Sequence, residues 1–561
     1  MISSICLLGA LIVQLCAASS PPLAKVLNGT YRGQYLSEWD QDLFLGMPFA
    51  QPPTGQLRFR WPQSLNTSFT ETRDAFEYGN APMQVMSGYY PGGNMSEDCL
   101  TLNVIRPAGD HKDLPVLVWI YGGGFIVGGS AWTQYNLSSI VRVSQDLGQP
   151  IIAVSFNYRL QMYGFMQSQD LLDEGSSNAG LLDQRMALRW IQDNIEAFGG
   201  DPQRVVIWGE SSGAQSIGYQ LFSYDGRDDG LYHGAIMESG GPRGTQVPDL
   251  TYYTLAVQTL ANSVGCSDTN DQLACLRSLS QEQLWKASQQ VYWNPLIDGD
   301  FLTAYPSQLM RRNKFVKVPL LIGTNTDEGV TFSPTGVNND KELFNTLMTW
   351  RQYALSPPHI RRIMELYPND PCNEPPFDLA NCSEIFPANG LMWRRAAAIG
   401  GDIVMMSGRR ELCELYTSAG VSVYSYRFDT RLWNHTAEQG VAHFDNVAFS
   451  FQNISGLLGP YPEYKKDMEM SRAIGEAYVR FVNQLDPNSQ GIERRASNSR
   501  VKRVSTENVK STQLPDWPKY DLRNPANIVL NATRPFIEPD TWRKEGIAFM
   551  NTYSMARELL S

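Results

Sequence analysis

Five short apolar runs, each closing on a glycine or a polar turn, constrain this chain more than any other feature: PVLVWIYGG from Pro115, PIIAVSFNYRL from Pro150, RVVIWGE from Arg204, GAIMESG from Gly234 and VPLLIGTNTDEG from Val318. A run without polar alternation is a strand buried on both faces, the situation in parallel sheets covered by helices. Between the second and third runs lies NAGLLDQRMALRWIQDNIEAFGGDP. There Leu182, Met186 and Trp190 form one stripe at helical spacing, Ala187, Ile191 and Ile195 an adjoining one, and Gly199 and Gly200 a stop. Alternating strand and helix imply right-handed crossovers and an α/β fold, a large mostly parallel central sheet with helices on both faces. In such sheets chemistry collects at the carboxyl ends of the strands.

The rest of the chain bounds where it works. A net charge of −11 offers no global field for nucleic acid or an anionic membrane, and 42% hydrophobic with 18% charged residues is an ordinary globular balance. The 561 residues by themselves would allow several domains. The apolar run Ile5 to Ala17 falls short of the roughly 20 residues a spanning helix needs, and small residues suited to cleavage follow it. Residues 1–18 are therefore expected to be a signal peptide, and the mature chain a secreted, extracellular protein without a stable membrane anchor. Eight N-x-S/T sequons, at Asn28, Asn66, Asn94, Asn136, Asn381, Asn434, Asn453 and Asn531, are candidate glycan sites in such a chain. Cys266 and Cys275, and Cys372 and Cys382, bracket short polar, loop-like spans and are expected to form two local disulfides. Cys99 and Cys413 have no obvious mates, and neither has metal-ligand spacing to other Cys or His, so no metal or other cofactor is expected. The stretch from Asn488 to Gln513 is apolar-poor and carries the pairs Arg494-Arg495 and Lys502-Arg503; it reads as a basic, solvated surface loop open to nicking.

The chemistry centres on GESSG. The G-x-S-x-G spacing alone is weak, but here it follows a strand from Val205 to Trp208 and precedes a helix from Gly213 to Phe222, which is the strained turn that lifts a serine oxygen clear of a sheet. Ser211 holds the central position, and Gly209 and Gly213 stand where a side chain would collide with crossing backbone. Serine needs a base, and the base an orienting acid. Of five histidines, His443 in EQGVAHFDNVAF, beside Gly440 and Ala442, suits a loop-borne base best. Asp327 and Glu328 both follow a buried strand directly, and either could be the acid. Gly122, Gly123 and Gly124 follow another strand and can turn N–H groups toward an oxyanion.

These residues carry a resemblance. From FLGMPFAQPPTGQLRFRWP (residues 44–62), through SEDCLTLNV, YGGGF, SFNYRL, GESSGAQS, LIGTNTDEG and GVAHFDNVAF, to LPDWPKYD, the chain resembles the type-B carboxylesterases of the α/β-hydrolase superfamily, which include cholinesterases and fungal lipases. The resemblance implies one large catalytic domain over residues 19–561. It implies Ser211 as nucleophile, Glu328 as acid and His443 as base, with the N–H groups of Gly123, Gly124 and Ser212 as oxyanion donors. Glu210 matches the family's acidic neighbour of the nucleophile.

Departures from the family bear on the substrate. YGNAPMQVM lacks the cysteine that relatives pair with the one in SEDCL, so Cys99 has no family partner, and the segment from Pro82 to Cys99 is short for a lipase lid. The expected partner is a small-molecule ester, hydrolysed through an acyl-enzyme, with soluble esters favoured over an oil interface. Where cholinesterases hold an ammonium over tryptophan this chain has Tyr89, and their later aromatic is matched by Thr331 with Phe332 following. Lipase and cholinesterase specificities are the alternatives on the same site. A silent adhesion protein on this fold is the reading from another class, and it would be expected to have lost a triad member.

Overall fold

The computed structural model describes residues 21–85, 94–288, 291–452, 465–489 and 511–559. Among them, β1 (Leu23–Val26), β2 (Gly29–Arg32) and β5 (Thr72–Asp74) make a small sheet. The main sheet has eleven strands: β3 (Gln34–Leu36), β4 (Gln41–Pro48), β6 (Thr101–Pro107), β7 (Leu114–Ile120), β8 (Ile152–Phe156), β9 (Gly200–Glu210), β10 (Gly234–Glu238), β11 (Leu320–Asn325), β12 (Val423–Phe428), β13 (Ala526–Leu530) and β14 (Phe536–Pro539). Their spatial order is β14-β13-β12-β11-β10-β9-β7-β8-β6-β4-β3. Every pairing from β8 across to β13 is parallel, and antiparallel strands close both edges. The five apolar runs are the heart of this sheet. β7, β8, β10 and β11 are buried at every residue, as strands covered on both faces must be.

The helix expected before β9 spans Ala179–Asn194, and a short turn, Ile195–Phe198, leads to Gly199 in the left-handed region at φ 82°. One stripe is corrected. Ala187 and Ile191 are fully buried, but Leu182 and Met186 are only half-buried. The inner face instead carries polar residues that have partners: Asp183 takes the Arg159 guanidinium at 2.6 and 2.8 Å, and Gln184 donates to Ser216 Oγ at 2.9 Å. A buried polar group is tolerated when it is satisfied, so hydrophobic periodicity alone misplaces this face.

Both expected disulfides are present, Cys266 to Cys275 with Cα atoms 5.7 Å apart and Cys372 to Cys382 at 4.6 Å. The first span is less loop-like than its composition suggests, because Asp271 caps a helix, Gln272–Ser278, that carries Cys275. Cys99 and Cys413 are buried and unpaired. Asn66, Asn94, Asn136, Asn381 and Asn434 are exposed, and Asn28 is half-buried. Asn531 is half-buried too, and its Nδ2 donates to the Asp429 carbonyl and carboxylate at 2.9 and 3.1 Å, which occupies the atom a glycan would need. Residues 1–18, Tyr89, Asn453 and positions 490–510 of the basic loop lie outside the described residues. The near end of that loop is anchored where Asn488 exchanges hydrogen bonds with the backbone of Trp517. No helix among the described residues is long and apolar enough to cross a membrane.

Candidate active site

At the carboxyl end of β9 the chain turns through Ser211 and enters the helix Ser212–Gly226. Ser211 sits at φ 56°, ψ −125°, a conformation that costs a non-glycine residue energy and persists only when its surroundings over-determine it. Those surroundings are its neighbouring glycines. A Cβ on Gly213 would lie 2.0 Å from the Ile120 carbonyl oxygen, and one on Gly209 2.7 Å from the Gly213 backbone, so only glycine lets the helix begin this close to the sheet. The expectation for both glycines is met.

β7 pairs with β9, with Ile120 opposite Gly209, so the glycine loop after β7 necessarily passes over the serine turn. A Cβ on Gly122 would lie 2.5 Å from the Glu210 carbonyl and 2.9 Å from Ser211 Cβ. Gly123 and Gly124 adopt φ of 106° and 64°, and among the described residues neither N–H has an acceptor. Ser212 is the first residue of its helix, where N–H groups are orphaned by geometry. Its hydroxyl accepts the Phe125 N–H at 3.3 Å, which ties the glycine loop to the helix.

Two strands away, β11 ends in Asn325 and delivers both candidate acids, which the structure separates. Glu328, fully buried, places Oε2 2.7 Å from His443 Nδ1 and accepts the Asn325 N–H on Oε1 at 2.8 Å. Asp327 turns the other way and accepts the N–H groups of Val441 and Phe377 at 2.8 and 3.2 Å. It pins the loop two residues before His443. Gly440 is required there, because a Cβ on it would lie 2.4 Å from the Asp327 carboxylate. Asn325 Nδ2 donates to the Ala442 carbonyl at 2.6 Å, and Asp445 accepts the Ala442 N–H at 2.8 Å while facing His435 Nδ1 at 3.1 Å. Sequence reasoning did not find the roles of Asn325, Asp327, Asp445 and His435. Only Asp327 had left a signal, as a rival acid. The Phe332 ring packs edge-on against the His443 imidazole at 4.7 Å.

On its other side His443 meets Glu210, whose Oε1 lies 3.3 Å from Nε2. Glu210 is fully buried, and neither of its oxygens has a hydrogen-bond donor among the described residues. Burial raises its pKa to about 8, with Glu328 and Glu238 adding to the rise and His443 opposing it. Burial works against charge on His443, yet Glu210 and Glu328 together outweigh it and raise the imidazole to about 9. Glu210 and His443 thus titrate as a coupled pair around a shared proton. Of the other histidines, His233 is bound to the Val205 carbonyl at 2.7 Å and His359 to Glu558 at 2.7 Å, both away from this site.

The model of the carboxylesterase family matches residues 20–541. The chain belongs to the carboxylesterase family. Lipase 4 of Diutina rugosa is 32% identical to this carboxylesterase, over 96% of each chain. A secreted triacylglycerol lipase of Gibberella zeae is 33% identical, over 82% of each chain. Among solved structures, EstA of Aspergillus niger superposes with a TM-score of 0.82 at 27% identity, covering 97% of this chain and 99% of its own. The architecture is that of the α/β hydrolases, and this carboxylesterase is a carboxylic ester hydrolase.

Proposed function

We propose that the enzyme hydrolyses carboxylic esters through an acyl-enzyme on Ser211, with His443 as general base and Glu328 as its orienting acid. The observation that carries this reading is the buried Glu328 carboxylate on His443 Nδ1 at 2.7 Å, which turns Nε2 toward the serine turn. A carboxylate on Nδ1–H fixes the tautomer whose Nε2 can accept a proton, and it stabilises the imidazolium that forms. His443 takes the Ser211 hydroxyl proton as Oγ adds to the ester carbonyl. The N–H groups of Gly123, Gly124 and Ser212 receive the oxyanion; the loop that carries the first two is pressed against Ser211 and has donors to spare. His443 then gives its proton to the leaving alcohol, and water attacks the acyl-enzyme by the same route in reverse.

Ser211→Ala tests the assignment. It should leave a folded protein that has lost hydrolysis of a p-nitrophenyl ester, and residual kcat/KM above about a thousandth of wild type would refute the nucleophile.

The same reading makes residues 1–18 a cleaved signal peptide and the remainder one secreted catalytic domain, with Phe332 and Glu210 lining the substrate pocket and the exposed sequons open to glycans. Support comes from the secreted lipases of Gibberella zeae and Botryotinia fuckeliana among the relatives. Soluble esters are the proposed substrates, because the segment from Pro82 to Cys99 is short and Cys99 is unbridged. Triacylglycerol hydrolysis is the second reading, favoured by the names of those relatives. A chain-length series of soluble esters, run beside a choline ester and an emulsified triglyceride, separates these specificities.

A further inference from the structure

We propose that Glu238 is a positioning residue of this site, which acts through Glu210 to keep His443 available as a base. The inference rests on the reading of His443 given above. β9 and β10 pair in parallel register with Glu210 directly opposite Glu238, so the two side chains leave the sheet on the same face, and both are fully buried. The Glu238 carbonyl also accepts the Ser211 N–H at 3.0 Å, so the residue is fastened to the serine turn itself.

The two carboxyl groups differ in what they are given. Glu238 accepts the Tyr478 hydroxyl at 2.5 Å and the Ser450 hydroxyl at 3.4 Å. Glu210 has no hydrogen-bond donor, only the His443 Nε2 contact at 3.3 Å. Donors favour the charged form of a carboxyl group and burial without them favours the neutral one, so as pH rises Glu238, held at about 7, gives up its proton before Glu210, held at about 8. The charged and titratable groups around the pair are Glu328, His443, Tyr135, Tyr426 and Tyr478; among the described residues no arginine or lysine forms an ion pair with either glutamate. Glu238 is accordingly one of the groups that raise the Glu210 pKa, while Glu210 and Glu328 are the carboxylates that dominate at His443.

The functional consequence follows from charge. An ionised Glu210 beside Nε2 would form an ion pair that holds the imidazole protonated, and a protonated imidazole cannot take the serine proton. The Glu238 charge one strand away disfavours that ionisation. It tips the shared proton toward Glu210 and away from Nε2.

The test is the pH dependence of kcat/KM for a soluble p-nitrophenyl ester, read at its isosbestic wavelength, in wild type, Glu238→Gln, Glu210→Gln and the double variant. Glu238→Gln should move the acid limb upward by about 0.5–1.5 pH units, because Glu210 then ionises earlier and retains the His443 proton. In the Glu210→Gln background the same substitution should move nothing. Tyr478→Phe, which withdraws a donor from Glu238, should shift the limb in the same direction by less, and it carries the test if Glu238→Gln does not fold. A limb that stays in place or moves down in the folded variant, or an equal shift in both backgrounds, overturns the inference. Failure of the underlying reading looks different, since activity would then survive Ser211→Ala or His443→Ala.

Discussion

Asp327 and Glu328 are adjacent acids on one turn, and exchanging each for its amide should damage the enzyme in different ways. Asp327 is fully buried and its two oxygens accept two backbone N–H groups, at 2.8 Å from Val441 and 3.2 Å from Phe377. An asparagine there has one acceptor oxygen, so one N–H must face an NH2 group. A buried donor left unsatisfied costs about 1–3 kcal/mol. In a protein of this size that is a fall in the unfolding midpoint of about 1–3 °C. Activity should fall by about tenfold to a hundredfold as the His443 loop loosens, since a small misplacement of a reacting group costs on that scale. In Glu328→Gln the loop keeps its clamp but the charge proposed to orient and stabilise the imidazolium is gone. The loss in kcat/KM should be about a thousandfold to ten-thousandfold, with the midpoint unchanged or raised, since a buried carboxylate has been neutralised. Differential scanning fluorimetry and steady-state hydrolysis of one soluble ester, run on both variants, read the two effects separately. An Asp327→Asn enzyme as inactive as Glu328→Gln at wild-type stability would refute the division of labour argued here.

Ser212→Ala removes a hydroxyl whose partner is the Phe125 N–H at 3.3 Å, so kcat should drop by no more than about tenfold, the worth of one long neutral hydrogen bond, while KM stays in place. Stability and activity should also respond to pH in opposite directions. Burial raises Asp327, Glu238 and Glu374 to about 7 and Glu210 to about 8. A carboxyl group raised on folding contributes stability that is complete below its unfolded value and is lost as pH rises through its folded value. The unfolding midpoint should therefore fall between about pH 5 and pH 8, while kcat/KM rises as His443 deprotonates. Asp229, lowered to about 2 by its bonds to Arg227 and Arg185, has contributed fully above about pH 4 and does not change that slope. Thermal melts and rate profiles over the same buffers check both directions, and a midpoint that climbs across this range would contradict the burial argument.

What the sequence made legible was whatever depends on pattern. Unalternated apolar runs such as PVLVWIYGG need cover on both faces, and β7 is buried throughout. Gly209 and Gly213 were legible because the serine turn leaves no room for a Cβ, which the 2.0 Å approach of Ile120 O to a Cβ at Gly213 makes concrete. The inner face of the helix Ala179–Asn194 was not, because Asp183 and Gln184 are buried by virtue of partners, Arg159 and Ser216, that lie 24 and 32 residues away. Periodicity counts apolar residues and has no term for a polar side chain whose partner is distant in the chain.

The same limit applies with more force at the site. Glu210 and Glu238 are 28 positions apart, and nothing local in IWGESSG or IMESG says that one lies opposite the other. Their juxtaposition follows from two facts of topology: β9 and β10 are sheet neighbours, and they pair in the register that aligns the last residue of each. A slip of one residue would send one glutamate to the opposite face of the sheet, away from His443, and leave the serine turn otherwise intact. The identity of the proposed nucleophile and of its glutamate neighbour is therefore written in the turn that carries them. Their protonation is set by strand register, because that is what decides which buried carboxyl group finds hydroxyl donors in Tyr478 and Ser450 and which finds none.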